Sequence, residues 1–227
     1  SGISDLVYND FIIGEDCDVT IMAGCGIHNC GDGESRHDGI HTFFVGKNAK
    51  VKYIERHYGE GDGVGGRNMN PTTVVNIAEG GYMEMETSQI KGIDNTKRIT
   101  RATLDRDATL VIHENIMTHG EQRAETDFSV DMNGENSSAN GVSRSVARDN
   151  SMQVYRSNIN GNNLCSGHTE CDAIIMGNAK VSAIPEINAN HIDASLIHEA
   201  AIGKIAGEQL IKLMTLGLTE QQAEEEI

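Results

Sequence analysis

The hydrophobic pattern of this chain has two regimes, with the change near residue 195. Before it, apolar and polar residues alternate over short runs, of which 82–90 (Tyr-Met-Glu-Met-Glu-Thr-Ser-Gln-Ile) is one of the longest. A period of two marks strands that bury one face. A similar turn phrase feeds many of these runs. It reads Gly46-Lys47-Asn48-Ala49-Lys50-Val51-Lys52-Tyr53, then Asp105-Arg106-Asp107-Ala108-Thr109-Leu110-Val111-Ile112. It recurs as Arg148-Asp149-Asn150-Ser151-Met152-Gln153-Val154-Tyr155 and Gly177-Asn178-Ala179-Lys180-Val181-Ser182-Ala183-Ile184, with a looser copy at 190–196. Its small residues Ala49, Ala108, Ser151 and Ala179, and after a gap Asp193, fall near multiples of 14–15 residues apart.

Evenly spaced short strands predict either a stacked solenoid or a sandwich. The edges separate the two. In a β-helix each strand pairs with the coil above and below, so long alternating strands need no partner chain. The spacing therefore favours an all-β, parallel β-helix over a β-sandwich. It predicts Ala49, Ala108 and Ala179 inside, stacked at the ~4.8 Å strand spacing. An exposed last coil needs a cap.

The second regime is helical. Leu210, Leu213, Met214 and Leu216 form a stripe at helical spacing, and Gly217 follows as a stop. Thr219 and Gln222 form a capping box for a second helix that runs into Glu224-Glu225-Glu226. The expected division is a β-helix core over 1–202 and a helical segment over 203–227. The abrupt finish, and a start directly in strand pattern, lead us to expect a fragment.

Composition narrows the function. A chain of 227 residues is one domain, or one domain with an appendage. Four Phe, five Tyr and no Trp, beside 25 Gly, suit stacked small and β-branched side chains better than a ring-rich core. A formal net charge of −16 argues against nucleic acid or an anionic membrane as partner. No apolar run approaches a membrane span, and no signal peptide opens the chain. The five cysteines therefore read as free thiols of a cytoplasmic protein.

Three groups carry candidate chemistry. Cys25, His28 and Cys30 enclose a His in a Cys-x4-Cys, close to His37 and His41. Thiolates with imidazole suit iron, iron–sulfur clusters or zinc. The other reading is free Cys and His in a glycine-rich turn. Cys165-x-x-His168-x-x-Cys171 is the best local thiolate–imidazole set, since ligands three apart can share one side of a turn. Third, His198-Glu199 stands 27 residues after Cys171. Neighbours in a strand face opposite ways, but they converge where a strand turns into a helix. Gly61-Asp62-Gly63-Val64-Gly65-Gly66 lacks the Gly-Lys-Ser/Thr ending of a P-loop and reads as a flexible turn.

Several motifs resemble the SufB/SufD core family of iron–sulfur cluster assembly. They are His-Glu-Ala-Ala-x-Gly-Lys-Ile at 198–205, Glu-Gln-Leu-x-x-Leu-x-x-x-Gly-Leu-Thr-Glu at 208–220 and Glu170-Cys171-Asp172-Ala173-Ile174-Ile175-Met176. Ser143-Arg144-Ser145-Val146-Ala147 and Ile90-Lys91-Gly92-Ile93 continue the match upstream. The chain is most similar to short, stand-alone members from archaea and anaerobic bacteria. The resemblance implies a right-handed β-helix, and terminal helices that dock the ABC-type ATPase SufC. It also implies a His-Glu pair involved in cluster assembly. SufD-type chains typically have His-Gly there, so Glu199 is SufB-like. Where SufB has a Gly-Asp-Arg-Cys type turn this chain has Gly177-Asn178-Ala179-Lys180, which leaves Cys171 or Cys165 to supply the sulfur ligand.

The expectation is a non-enzymatic scaffold subunit of a SUF-like system, a side-by-side homodimer with a SufC-like ATPase as partner. It would carry a transient iron–sulfur cluster on Cys171, His198 and Glu199, with Cys165 and His168 nearby. The alternatives are a carbohydrate-active β-helix, for which a row of exposed aromatics is missing, or a structural β-helix without metal.

Overall fold

The computed structural model describes residues 2–204, 213–219 and 222–223. In chain order the strands are β1 (Ser4–Ile13), β2 (Asp18–His28), β3 (Ser35–Val45), β4 (Lys50–Glu60), β5 (Arg67–Ile77), β6 (Tyr82–Gln89) and β7 (Asn95–Leu104). They continue as β8 (Thr109–Thr118), β9 (Arg123–Met132), β10 (Ser137–Ala147), β11 (Met152–Gly161), β12 (Cys165–Ile175), β13 (Lys180–Ala189) and β14 (Ala194–Lys204). Odd-numbered strands stack into one sheet of seven and even-numbered strands into another. Neighbours within each sheet run parallel. The chain is a parallel β-helix, flattened to two faces.

The 14–15 residue unit is thus half a coil, one strand and one turn. A full coil takes two. Ser4 pairs with Arg36 in the first coil and Ser166 with Ser195 in the last, so the pitch shortens from 32 residues to 29. The extra residues sit in two turns, 29–34 and 61–66. The glycine-rich 61–66 is not loose: Gly63 and Gly65 donate backbone hydrogen bonds to Asn29 and Gly31 of the turn above.

The turn phrase has a conformational cause. Asp16, Asn48, Gly80 and Asp107 occupy the left-handed region along one edge of the solenoid, with φ between 53° and 69°. Asn, Asp and Gly adopt that region at low cost. Gly120, Asp149 and Gly177 serve the opposite edge, one position further from the following strand. Ala49, Ala108 and Ala179 are buried, as the pattern requires.

Parallel register sorts the interior into files. Val19, Val51, Met83, Leu110, Ala139, Gly167 and Leu196 form one file, part of the apolar core. Two pleats along the same sheet run Ala23, Glu55, Thr87, Glu114, Ser143, Cys171 and Ala200, a polar file inside the solenoid. The interior is apolar at one edge, polar along the middle file, and apolar again beyond it, where Ile27, Met69 and Ile93 cluster.

At the C-terminal end β14 continues as strand to Lys204 rather than turning into a helix after Glu199. Residues 213–215 and 222–223 are helical, and Gly217 takes φ 96° as a stop. The capping box forms: Gln222 N–H donates to Thr219 Oγ1 at 3.2 Å, and Thr219 N–H to Gln222 Oε1 at 2.9 Å. Leu210 and part of the predicted stripe lie outside the described residues.

Candidate functional site

β12 and β14 bring the candidate residues together in two groups, one on each face of their sheet. Along β12, Cys165, Gly167, Thr169, Cys171 and Ala173 point inward, while Ser166, His168, Glu170 and Asp172 point outward. Thr169 pairs with His198, Glu170 with Glu199 and Cys171 with Ala200. His198 therefore joins the inner group and Glu199 the outer one.

This differs from two expectations, for one reason. A strand alternates strictly, so ligands three apart face opposite ways and so do adjacent ones. The Cys165-His168-Cys171 set is split, with His168 outside and both thiols inside. His198 and Glu199 are split because no turn intervenes between them. Cys165 also lies six residues from Cys171, about 20 Å along the strand, and belongs to the apolar core.

The outer group holds the best metal geometry among the described residues. His168, Glu170 and Glu199 each offer a ligand atom, all within 4.8 Å of one another. His168 Nδ1 lies 2.9 Å from Asn140 Oδ1 and Nε2 lies 3.2 Å from Glu199 Oε2. The Asn140 oxygen only accepts, so Nδ1 carries the proton and Nε2 turns toward the carboxylate. Two acceptors then face each other, unless a proton or a cation lies between them. Two ligands on one ion, each about 2.1 Å from it, stand roughly 3 Å apart, close to this separation. Asn140 fixes the tautomer that leaves Nε2 available, as a supporting partner does for a ligating histidine. Glu170 is raised above the usual carboxylate range, first by a hydrogen bond with Asp172 and then by that residue's charge. A cation bound here would relieve the repulsion between these two carboxylates.

The inner group has the opposite character. Cys171 is buried, and its thiol is pushed up to about 11 by burial, then by Glu114 and Asp172. His198 Nδ1 sits 2.7 Å from Thr169 Oγ1, and its Nε2 has no hydrogen-bond partner among the described residues. Burial, then repulsion from His168, holds this imidazole below its ordinary range, so it is a neutral donor. Cys171 and His198 share the inner face on adjacent strands, two residues out of register, about 8 Å apart at Cα by strand geometry. A thiolate and a neutral imidazole at that spacing can serve one soft metal ion once the thiol has lost its proton.

The N-terminal group divides in the same way. Cys30 Sγ approaches His28 Nε2 at 3.0 Å on the surface, whereas Cys25 turns inward in register with His57. Sequence reading missed Glu170, Thr169 and Asn140. The i, i+2 spacing of His168 and Glu170 was available as a signal; Asn140 becomes a neighbour only through the 28-residue coil.

A family model described as the SufBD core domain of SUF system FeS cluster assembly matches residues 8–227. An iron-sulfur cluster assembly SufBD family protein of Methanocaldococcus jannaschii is 34% identical over 98% of this chain and 70% of its own length. A namesake from Archaeoglobus fulgidus is 30% identical over 96% of this chain and 58% of its own. One from Methanothermobacter thermautotrophicus is 26% identical over 97% and 53%. The chain thus spans little more than half the length of the latter two. With the model match covering almost every residue, this chain belongs to the SufBD family of iron–sulfur cluster assembly.

Proposed function

We propose that the chain is a scaffold subunit on which iron and sulfide are gathered into a cluster, as a homodimer driven by a SufC-like ABC ATPase. The convergence of His168, Glu170 and Glu199 on one face of β12 and β14, with Cys171 and His198 on the other, carries this reading. Iron is the substrate here. The outer carboxylates and imidazole suit capture of ferrous iron from solvent, because hard oxygen donors and one nitrogen bind it reversibly. The inner thiol suits sulfide or a sulfide-bearing iron, protected from water and oxidant by the solenoid wall. Residues 206–227 are the proposed ATPase dock.

Anaerobic titration with ferrous iron, followed by sulfide, tests the division of labour. His168→Gln and Glu199→Gln should each weaken ferrous binding about 10-fold or more, in the range for lost ligands and their supports. Cys171→Ser should keep ferrous binding but lose the sulfide-dependent absorption. Wild-type iron affinity in both outer variants would refute the capture site. Removing 206–227 should abolish co-purification with the ATPase while circular dichroism stays strand-rich; retained ATPase would assign docking elsewhere.

A further inference from the structure

A charged cluster lies inside the solenoid midway along the polar file, outside the site described above. Arg98 reaches Glu55 Oε2 with Nη1 at 2.7 Å and His57 Nδ1 with Nη2 at 3.0 Å. A guanidinium only donates, so His57 Nδ1 holds a lone pair and the ring's proton is on Nε2, 3.3 Å from Glu55 Oε1. Tyr53 also donates to Glu55, at 2.9 Å. On the far side Glu114 accepts from Thr126 at 2.9 Å and Ser143 at 2.8 Å. Two carboxylates and one guanidinium sit here with a neutral imidazole.

One side of this cluster is not closed by protein. Arg98 and Thr87 are 4% and 3% exposed, yet Arg98 Nε and Thr87 Oγ1 have no hydrogen-bond partner among the described residues. Glu114 Oε1 is 3.2 Å from that Nε but does not lie along its N–H bond. Both residues line the same partly enclosed cavity of about 20 Å³, whose wall is largely apolar (Met85, Ile112, Phe128) but which Glu114, Thr126 and Ser143 also border. A buried donor left unmade costs about 1–3 kcal/mol, more for a charged group. A cavity above roughly 10–15 Å³ accommodates one water where two to four polar partners face it, and Arg98 Nε, Thr87 Oγ1 and Glu114 supply three here.

We propose that this cavity is a binding site for a single ordered water. It accepts from Arg98 Nε–H, pairs with the Thr87 hydroxyl and donates to Glu114. The chemistry selects water over other small ligands. An anion would add to a cluster that already carries an excess negative charge, and a metal cation would face the Arg98 N–H. The neighbouring void, at about 10 Å³, borders Cys171, Gln153 and Ser143. It lies at the lower limit for a water and is not part of the proposed site.

The test compares wild type, Thr87→Val and Thr87→Ser of the full chain by high-resolution crystallography and by water-proton magnetic relaxation dispersion. Wild type and Thr87→Ser should show one peak within hydrogen-bonding reach of Arg98 Nε and residue 87. Thr87→Val, nearly the same shape, should lose that peak and one long-lived water from the dispersion. A dry cavity in wild type overturns the proposal. So does a peak that bromide replaces on soaking, since that marks an anion, or a water that persists unchanged in Thr87→Val.

Discussion

At the scale of single residues, the most consequential side chains after the site are those of the interior cluster. Arg98 pairs with both Glu55 and Glu114 deep inside the solenoid. Removing one member of a buried ion network strands the others, typically at about 3–5 kcal/mol. Arg98→Met should therefore lower unfolding free energy by about that amount, measured by urea denaturation, while Arg101→Met, whose partner Asp127 is at the surface, should cost under about 1 kcal/mol. Equal effects would show that Arg98 does not hold the buried cluster together. The cluster also sets a pH dependence. Burial holds the His57 imidazole below its ordinary range against the pull of Glu55, and burial does the same to His41. Folded rings stay neutral while those of the unfolded chain protonate near pH 6.5. The unfolded state then binds more protons, so stability falls as pH drops below about 6.5. Glu55 adds a second loss at lower pH. Burial alone would raise this carboxyl, but the His57 hydrogen bond and the Arg98 charge hold it well below the carboxylate range. Its contribution is present above about pH 4.3 and fades on further acidification. Urea midpoints at pH 7.5 and 5.5 should differ in wild type and differ less in His57→Gln; identical slopes would remove His57 from the account.

At the scale of the element, the turn and the strand explain what was legible in the chain and what was not. The strands, and the stacking of turns, were readable because Asn48, Asp107, Asp149 and Gly177 are types that accept a left-handed backbone. Their spacing showed a unit of 14–15 residues but not that two units make a coil. Only pairing in space fixes that, as in Thr169 with His198. The candidate site was half legible for the same reason. Cys171 and His198 share a face because their coils align, an outcome the 27-residue spacing anticipated. Glu199 and His168 fall on the other face because β12 and β14 run straight through positions where turns were expected. The interior cluster was missed altogether: Glu55 and Arg98 are 43 residues apart, and an inward charge shows in sequence only as a broken alternation. The turn chemistry is directly testable at Asn48, where φ is 53° and the backbone N–H donates to Glu79 of the next coil. Asn48→Gly should be close to neutral, whereas Asn48→Ala should cost about 1–2 kcal/mol for a left-handed residue with a Cβ. Thermal denaturation of the pair decides it, and an Ala variant as stable as the Gly variant would mean that side-chain hydrogen bonding, not backbone conformation, selects Asn here.

At the scale of the whole molecule, a solenoid solves strand pairing everywhere except at its ends. Among the described residues β13 pairs only with β11, and β14 only with β12. Each leaves a row of backbone donors and acceptors, and the same coil exposes apolar side chains: Ile184 and Ile187 on β13, Ile197 on β14, and Ile192 between them at 95% exposure. Exposed edges of this kind invite another chain, which closed folds avoid. A second copy offers the same edge and the same apolar groups, so a two-fold contact is self-complementary. It would also set the outer groups of two chains near one another, because Glu199 and His168 lie on the strands at that end. The proposed homodimer therefore makes a measurable demand on this surface. Light scattering should give about twice the 24.5 kDa chain mass for wild type. Ile184→Lys with Ile197→Lys should return the protein to the single-chain mass with unchanged circular dichroism, since both side chains point outward, in register with Arg156 and His168, and already face solvent in the isolated coil. If the double variant keeps the dimer mass, the contact lies elsewhere on the solenoid. If wild type runs as a monomer at micromolar concentration, the homodimer is wrong, and the exposed last coil awaits a different partner, one whose edge strand and apolar groups complement rather than copy its own.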